Sequence, residues 1–236
     1  KVLALFEPDA DVANMLSVAA NQVGLSEVPS FSIEEIEEQN WVQLTQSQFD
    51  PIRVSERLWI VPSWHEIPDP AAISLILDPG MAFGTGSHPT TRLCLEWLER
   101  KVSAQCSVLD YGCGSGILAI AAARLGAGQV AGVDIDPQAV EAAYANAERN
   151  GVSALFADST QPVAGEYDLV VANILSNPLR VLAPAICAHV RSGGQLALSG
   201  ILREQADEII GIYATWLPLA VADTREDWVC LSGIKP

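Results

Sequence analysis

The chain has 236 residues, half of them hydrophobic, enough for one good-sized domain with a small appendage and a substantial core. Its 29 acidic against 13 basic residues give a formal net charge of −16 and form no basic stripe, which argues against nucleic acid as a bound substrate and suits a basic protein partner, or acidity that only maintains solubility. No apolar run reaches the roughly eighteen residues of a membrane span, the start K-V-L-A-L-F-E-P lacks the order of a signal peptide, and five scattered cysteines without a C-x-x-C pair indicate neither a disulfide framework nor a metal site, so a reduced, cytoplasmic location is expected.

Residues 2–6 read as a strand. An amphipathic helix follows, begun by Pro8, Asp9 and Asp11, with Val12, Met15, Leu16 and Ala19 on one face, and a second strand-like piece covers residues 31–36. This β-α-β fragment opens on a strand without an initiator Met, so residues 1–48 are expected to be the incomplete tail of a small α/β recognition module. From Asn40 to Asp69 three tryptophans (Trp41, Trp59, Trp64) and prolines at 51, 62 and 68 predict an extended connector with a short strand at 57–61, and residues 49–70 are assigned as linker. Its aromatics either pack the connector onto the larger domain or grip substrate.

The larger domain, residues 71–236, opens with D-P-G-M-A-F-G-T-G-S-H-P-T-T, Asp78 to Thr91. Gly84 and Gly86 flank Thr85 in a loop able to turn several amides inward and close over a ligand. Ser87 or Thr90 can cap the helix expected over 91–100, and His88 is either a loop residue or a catalytic group.

The chain is organised around residues 108–136: a strand, a loop carrying Gly112, Gly114 and Gly116, a helix over 117–125, and a second strand ending in Asp134. This is half of a nucleotide-binding βαβ unit, in which an acidic side chain about twenty residues beyond the glycines is placed to hold two ribose hydroxyls. The spacing is G-x-G-x-G, and Asp110 precedes it. A carboxylate there repels a pyrophosphate but suits a cation, so the ligand inferred is S-adenosylmethionine, whose amino and sulfonium groups are both positive. Asp136-Pro137 reads as cap and first residue of the next helix, 137–149, which buries Val140, Ala143, Tyr144 and Ala147. A short strand over 154–157 ends at Asp158, which either reaches an adenine amino group or is a solvated loop residue.

The strand at 167–172 is apolar as one buried on both faces should be, and it delivers N-I-L-S-N-P with Asn173 at its carboxyl end, where open parallel sheets bind ligands. Asn173 can accept a hydrogen bond from an incoming amine, or Asn173 and Asn177 can cap the helix expected over 178–190. The turn Ser192-Gly193-Gly194, a strand over 195–199, a helix over 203–217 and two strands over 219–222 and 228–232 complete the chain. The alternation predicts a doubly wound α/β sheet whose last two strands form an antiparallel hairpin at its edge.

With D-Y-G-C-G-S-G, V-D-I-D-P and N-I-L-S-N-P in view, the sequence resembles the class I methyltransferases, and specifically the bacterial family that methylates ribosomal protein L11. The resemblance covers about residues 49–236 and rests most on D-P-G-M-A-F-G-T-G-S-H-P-T-T combined with N-I-L-S-N-P. It implies a Rossmann-like, mostly parallel seven-stranded sheet with a reversed last strand, behind a small recognition domain longer than the one here. It further implies cofactor contacts from Thr91, Gly112, Asp134 and Asn173, with Phe83, Gly84, Thr85 and Gly86 covering the methionine end. The acceptors it implies are lysine side-chain amines and an N-terminal amine of a basic ribosomal protein. No nucleic acid or membrane contact and a monomeric state are expected. Asn173, followed by backbone carbonyls and no His or carboxylate, is expected to act catalytically by orienting the amine. Alternatives are another acceptor (a glutamine amide or a small molecule), a nicotinamide dehydrogenase, and a non-catalytic binding module.

Overall fold

The computed structural model describes residues 10–25, 28, 30–32, 49–78, 86–158 and 164–236. The chain divides into two compact units, Lys1–Gln48 and Phe49–Pro236.

In the first unit the helix α1, Val12–Gln22, is capped by Asp11, whose Oδ1 accepts from the Asn14 amide at 3.1 Å. Ala20 is its one buried residue; of the face read from spacing, Val12 and Leu16 are half-buried in line with Ala20, while Met15 and Ala19 are exposed. Asn14, Ser17 and Asn21 line another side. The strand read at 2–6 and residues 33–36 of the second lie outside the described residues, as does Trp41; Phe31 and Ser32 are described and form no strand.

The larger unit begins with three short strands, β1 (Ile52–Arg53), β2 (Leu58–Val61) and β3 (Ile73–Ile76). They form a sheet in the order β1-β2-β3, the first pair antiparallel and the second parallel. The short strand read at 57–61 is β2, and the segment read as connector also supplies β1. Val54, Leu58, Ile60, Leu75 and Leu77 are buried in one core with the helices that follow. Trp59 takes Arg53 over its ring at 5.8 Å, and Trp64 tilts against His65 at 6.3 Å.

Next come α2 (Pro89–Lys101), β4 (Ser107–Tyr111), α3 (Ile117–Arg124), β5 (Gln129–Asp134), α4 (Pro137–Arg149), β6 (Leu155–Asp158) and β7 (Tyr167–Asn173). They are followed by α5 (Ser176–Ala188), β8 (Val190–Leu202), a 3₁₀ turn (Arg203–Gln205), α6 (Ala206–Tyr213), β9 (Leu219–Arg225) and β10 (Trp228–Ile234). The seven-stranded sheet has the order β6-β5-β4-β7-β8-β10-β9. Parallel pairing runs from β6 through β8, and β10 lies antiparallel between β8 and β9. The expected hairpin thus forms the edge through β9, with β10 one place in. One core cluster gathers residues of α2, α3, α4 and the three short strands, and a second gathers residues of α5, α6 and the partner faces of the central strands. That is the doubly wound arrangement.

Some boundaries differ from the sequence reading for local reasons. Ser192-Gly193-Gly194 is not a free turn: β8 starts at Val190, and its register with β7 shifts between Tyr167 and Leu169. Gly193 donates to the Lys235 carbonyl at 2.8 Å and Gly194 accepts from the Lys235 amide at 2.9 Å, so the C-terminal segment keeps the stretch in the sheet. The helix read over 203–217 is a 3₁₀ turn plus two turns of α-helix. Helix α5 starts at Ser176, ahead of Pro178, because proline is tolerated in a first turn, where its missing N–H has no intrahelical acceptor.

Candidate functional site

Sheet order sets the place. From β4 the chain builds β5 and β6 on one side, then crosses to β7 and β8 on the other, so the strand order reverses between β4 and β7. A crevice opens at the carboxyl ends of such strands, and ligands bind there.

On the β4 side, Gly112, Gly114 and Gly116 all take positive φ, 81°, 52° and 78°, which bends the chain sharply out of β4 and into α3. The loop is fastened across the sheet to Asp134. The Gly114 amide donates to Asp134 Oδ2 at 2.8 Å, and the Asp136 amide to Oδ1 at 3.0 Å. A carboxylate offers about four lone-pair sites, so two remain for outside donors. Asp136 caps α4 through the Gln138 amide at 2.9 Å, separating the roles of the two aspartates. Asp134 and Asp158 are Cα partners at the ends of β5 and β6, which puts a second carboxylate beside the first.

Asp110 is 1 % exposed, with the Ala119 amide donating to Oδ2 at 3.1 Å and Oδ1 buried without a partner. Burial pushes its carboxyl up to about 7; the Ala119 amide opposes the rise and the Asp134 charge adds to it. Burial also pushes the neighbouring Cys113 thiol well up, with the Asp110 and Asp134 charges in the same direction, so no thiolate nucleophile sits in this loop.

On the β7 side, Asn173 ends the strand in register with Ser199 of β8. Its Nδ2 donates to Thr91 Oγ1, in the first turn of α2, at 3.2 Å. Neither Asn173 nor Asn177 caps α5: the cap residue is Leu175, with no side-chain bond, and Asn177 Oδ1 accepts from Arg180 at 2.8 Å. Thr91 is fully buried. The cap of α2 is His88 rather than Ser87 or Thr90, its Nδ1 accepting from the Thr90 amide at 3.3 Å and lying 2.8 Å from Thr90 Oγ1. Pro89 starts the helix and puts the cap two residues upstream of Thr90. The His88 ring meets Trp228 edge to face, centroids 4.9 Å apart.

Gly86, at φ 82°, is buried against Ile60 and Ile117. A Cβ there would lie 2.1 Å from Ile60 Cδ1, a side-chain end that can turn away, so it is the left-handed backbone that favours glycine where the chain runs between β2 and the start of α3. Phe83, Gly84 and Thr85 lie outside the described residues.

Two features escaped the sequence reading. Ile135, directly after Asp134, is 81 % exposed, an apolar side chain at the edge of an acidic pocket. The signal was available in the alternation V-D-I-D at a strand end. Tyr144, expected in the core, is 44 % exposed. Its hydroxyl donates to the Phe156 carbonyl at 2.7 Å and accepts from the Phe156 amide at 3.1 Å, holding β6 to α4. Spacing placed it on the apolar face, but its polar tip needs a partner nearer the rim.

The donor set fits a cationic nucleoside. Carboxylates at Asp110, Asp134 and Asp158 gather beside the glycine turn, and Asp110 keeps an unpaired oxygen. A pyrophosphate has no cation to meet among these groups.

The family model for ribosomal protein L11 methyltransferase (PrmA) matches residues 1–236. The chain belongs to that family. The match extends through the first 48 residues, beyond the part the motifs covered. The chain is 82 % identical to a ribosomal protein L11 methyltransferase of Dechloromonas aromatica, and 58 % identical to one of Cupriavidus taiwanensis. Both alignments use the whole chain and 80 % of the relative. Among solved structures, a ribosomal protein L11 methylase from Lactobacillus delbrueckii subsp. bulgaricus is 35 % identical, with TM-score 0.73 over 79 % of this chain and 99 % of that one. The chain is thus an S-adenosylmethionine-dependent methyltransferase with the Rossmann-like fold of its family.

Proposed function

We propose that this chain methylates a basic large-subunit ribosomal protein of the L11 type on lysine side-chain and N-terminal amines. The observation that carries the reading is the meeting of Asn173 and Thr91, at 3.2 Å, beside the glycine turn that Asp134 fastens. The relatives' names supply the acceptor protein, and the net charge of −16 suits a basic one.

Each residue has a role in this reading. Asp134 takes the two ribose hydroxyls on its remaining lone pairs while its present bonds keep the loop in shape. Gly112 and Gly114 allow backbone to approach the cofactor, and its positive charge draws the buried Asp110 carboxyl, raised to about 7, back toward its charged form. Asp158 meets the adenine amino group, and Ile135 offers an apolar face to the ring. Thr91 and Asn173 bound the methionine end, with Phe83, Gly84, Thr85 and Gly86 covering it.

S-adenosylmethionine supplies a methyl group on a positively charged sulfur. The chain's own task is to present a neutral amine in line with it. A free lysine has a pKa near 10.4, so neutralising it at pH 7 costs about 4 to 5 kcal/mol. A nearby positive charge lowers that cost. The Asn173 amide is held by Thr91, so its carbonyl is in place to accept from the amine and aim the lone pair, and positioning supplies most of the rate. The displaced proton leaves before attack, so no strong general base is required at this position.

Residues 1–48 act in this reading as the recognition module, 49–70 as the connector and 71–236 as the methyltransferase. The protein works as a cytoplasmic monomer without contacting nucleic acid; among the described residues no helix is long and apolar enough to cross a membrane. The test is transfer of labelled methyl from S-adenosylmethionine to unmethylated ribosomal protein L11, with the modified amines located by mass spectrometry. Label on lysine and on the N-terminal amine supports the reading. Label only on glutamine, or none on this protein, contradicts it.

A further inference from the structure

The turn after β7 is gripped on both sides by glycines. On one side, a Cβ added to Gly112 would lie 2.4 Å from Ile174 Cγ2. On the other, a Cβ added to Gly200 would lie 2.2 Å from the Ile174 carbonyl oxygen, 2.7 Å from its carbonyl carbon and 3.2 Å from its nitrogen. Ile174 directly follows Asn173, and Gly200 directly follows Ser199, the register partner of Asn173. Three neighbouring strand ends, β4, β7 and β8, therefore meet at one residue.

The two contacts differ in kind. Gly112 meets a side-chain methyl, which a substitution at Ile174 can remove. Gly200 meets main chain, which no substitution at Ile174 can remove. Gly200 itself has little room to move. Ser199 and Ile201 are fully buried, and the Ser199 hydroxyl donates to the Val229 carbonyl at 3.0 Å, tying β8 to β10. On the other side Leu175 is 68 % exposed, so the chain after Asn173 has space to shift. Gly200 also takes φ 83° where β8 shifts register against β10, so a methyl at position 200 presses on Ile174 as well as straining its own backbone. Bringing a contact of 2.2 Å out to the usual carbon to oxygen separation of about 3.3 Å takes a displacement of about 1 Å.

We propose that Gly200 is a positioning residue for methyl transfer: by lacking a Cβ it sets the main chain of Ile174 and, through it, the amide of Asn173. This inference rests on the amine-orienting role of Asn173. A displacement of about 1 Å at a reacting centre lowers rates by about a hundredfold, while the ribose ligand Asp134 lies on β5, away from Ile174.

The experiment is Gly200→Ala in the full chain, assayed for methyl transfer to ribosomal protein L11 and titrated with S-adenosylhomocysteine in a calorimeter. The expected result is a fall in kcat of about ten- to a hundredfold, with cofactor KM and S-adenosylhomocysteine affinity both within about threefold of wild type. An unchanged kcat overturns the proposal, and so does a loss of affinity as large as the loss of kcat. Should Gly200→Ala not fold, Gly200→Asn, which tolerates the left-handed backbone but still carries a Cβ, takes its place in both assays. A fall in kcat of about tenfold or more at unchanged S-adenosylhomocysteine affinity supports the contact with Ile174, and an unchanged kcat overturns it. Absence of wild-type turnover on this acceptor would contradict the amine reading and this inference together; normal turnover by both wild type and Gly200→Ala would contradict this inference alone.

Discussion

The side-chain amide of Asn173 and the hydroxyl of Thr91, 82 residues apart in sequence, meet at 3.2 Å. The bond occupies Nδ2, which leaves the Asn173 carbonyl to accept in the proposed amine-orienting role. Thr91→Val keeps the shape of a fully buried residue but removes the hydroxyl. Turnover is expected to fall at least tenfold with a stability loss of about 1 to 2 kcal/mol, whereas Thr91→Ser retains most of both. Steady-state kinetics beside thermal denaturation separate the two effects.

Asp110 links stability to pH. Its carboxyl is raised by burial to about 7, above the unfolded value of 3.8, so the folded state holds the proton more tightly than the unfolded chain does. Its stabilising proton is fully in place below about pH 4 and lost as pH rises through about 7. The change is on the order of 4 kcal/mol, about 1.4 per unit. Asp110→Asn carries no proton to lose. Denaturant titrations at pH 4 and pH 8 are expected to show the variant gaining several kcal/mol on the wild type as pH rises. Parallel pH profiles for the two proteins would contradict the buried, protonated state.

His88 caps α2 with a ring nitrogen. His88→Asn supplies another acceptor at the same position and is expected to keep both stability and turnover. His88→Ala is expected to cost about 1 kcal/mol, or about 2 to 4 °C in Tm for a protein of this size. Loss of turnover in His88→Asn with unchanged Tm would instead place the imidazole in the chemistry.

Much of this was legible because local rules and the global fold agree. The glycine turn, Asp134 at a strand end and Asp136-Pro137 at a helix start each have a mechanism that depends only on neighbours in sequence, and the structure places them accordingly. The resemblance implied that Asn173 and Thr91 each touch the cofactor, but nothing local joins two side chains so far apart, and their meeting was not legible. Least legible were features that depend on tertiary approach. The strand at 58–61 was legible, but its partners at 52–53 and 73–76 are too short to read as a sheet, and burial of Leu58, Ile60 and Leu75 decides it. Gly200 looks ordinary in S-G-I-L, and only its positive φ and the position of the Ile174 carbonyl show why a side chain is excluded there. Tyr144 sat correctly on the helix, but its hydroxyl found the Phe156 backbone at the rim.

The most direct test of the account measures turnover and cofactor affinity together for Asn173→Ala and Asp134→Ala. The account predicts that Asp134→Ala weakens cofactor binding roughly a hundredfold, about 2.7 kcal/mol, by removing a charged acceptor that also holds Gly114. It predicts that Asn173→Ala nearly abolishes methyl transfer even at saturating cofactor. Unchanged turnover in Asn173→Ala, alongside lost cofactor binding in Asp134→Ala, would contradict the claim that Asn173 orients the amine.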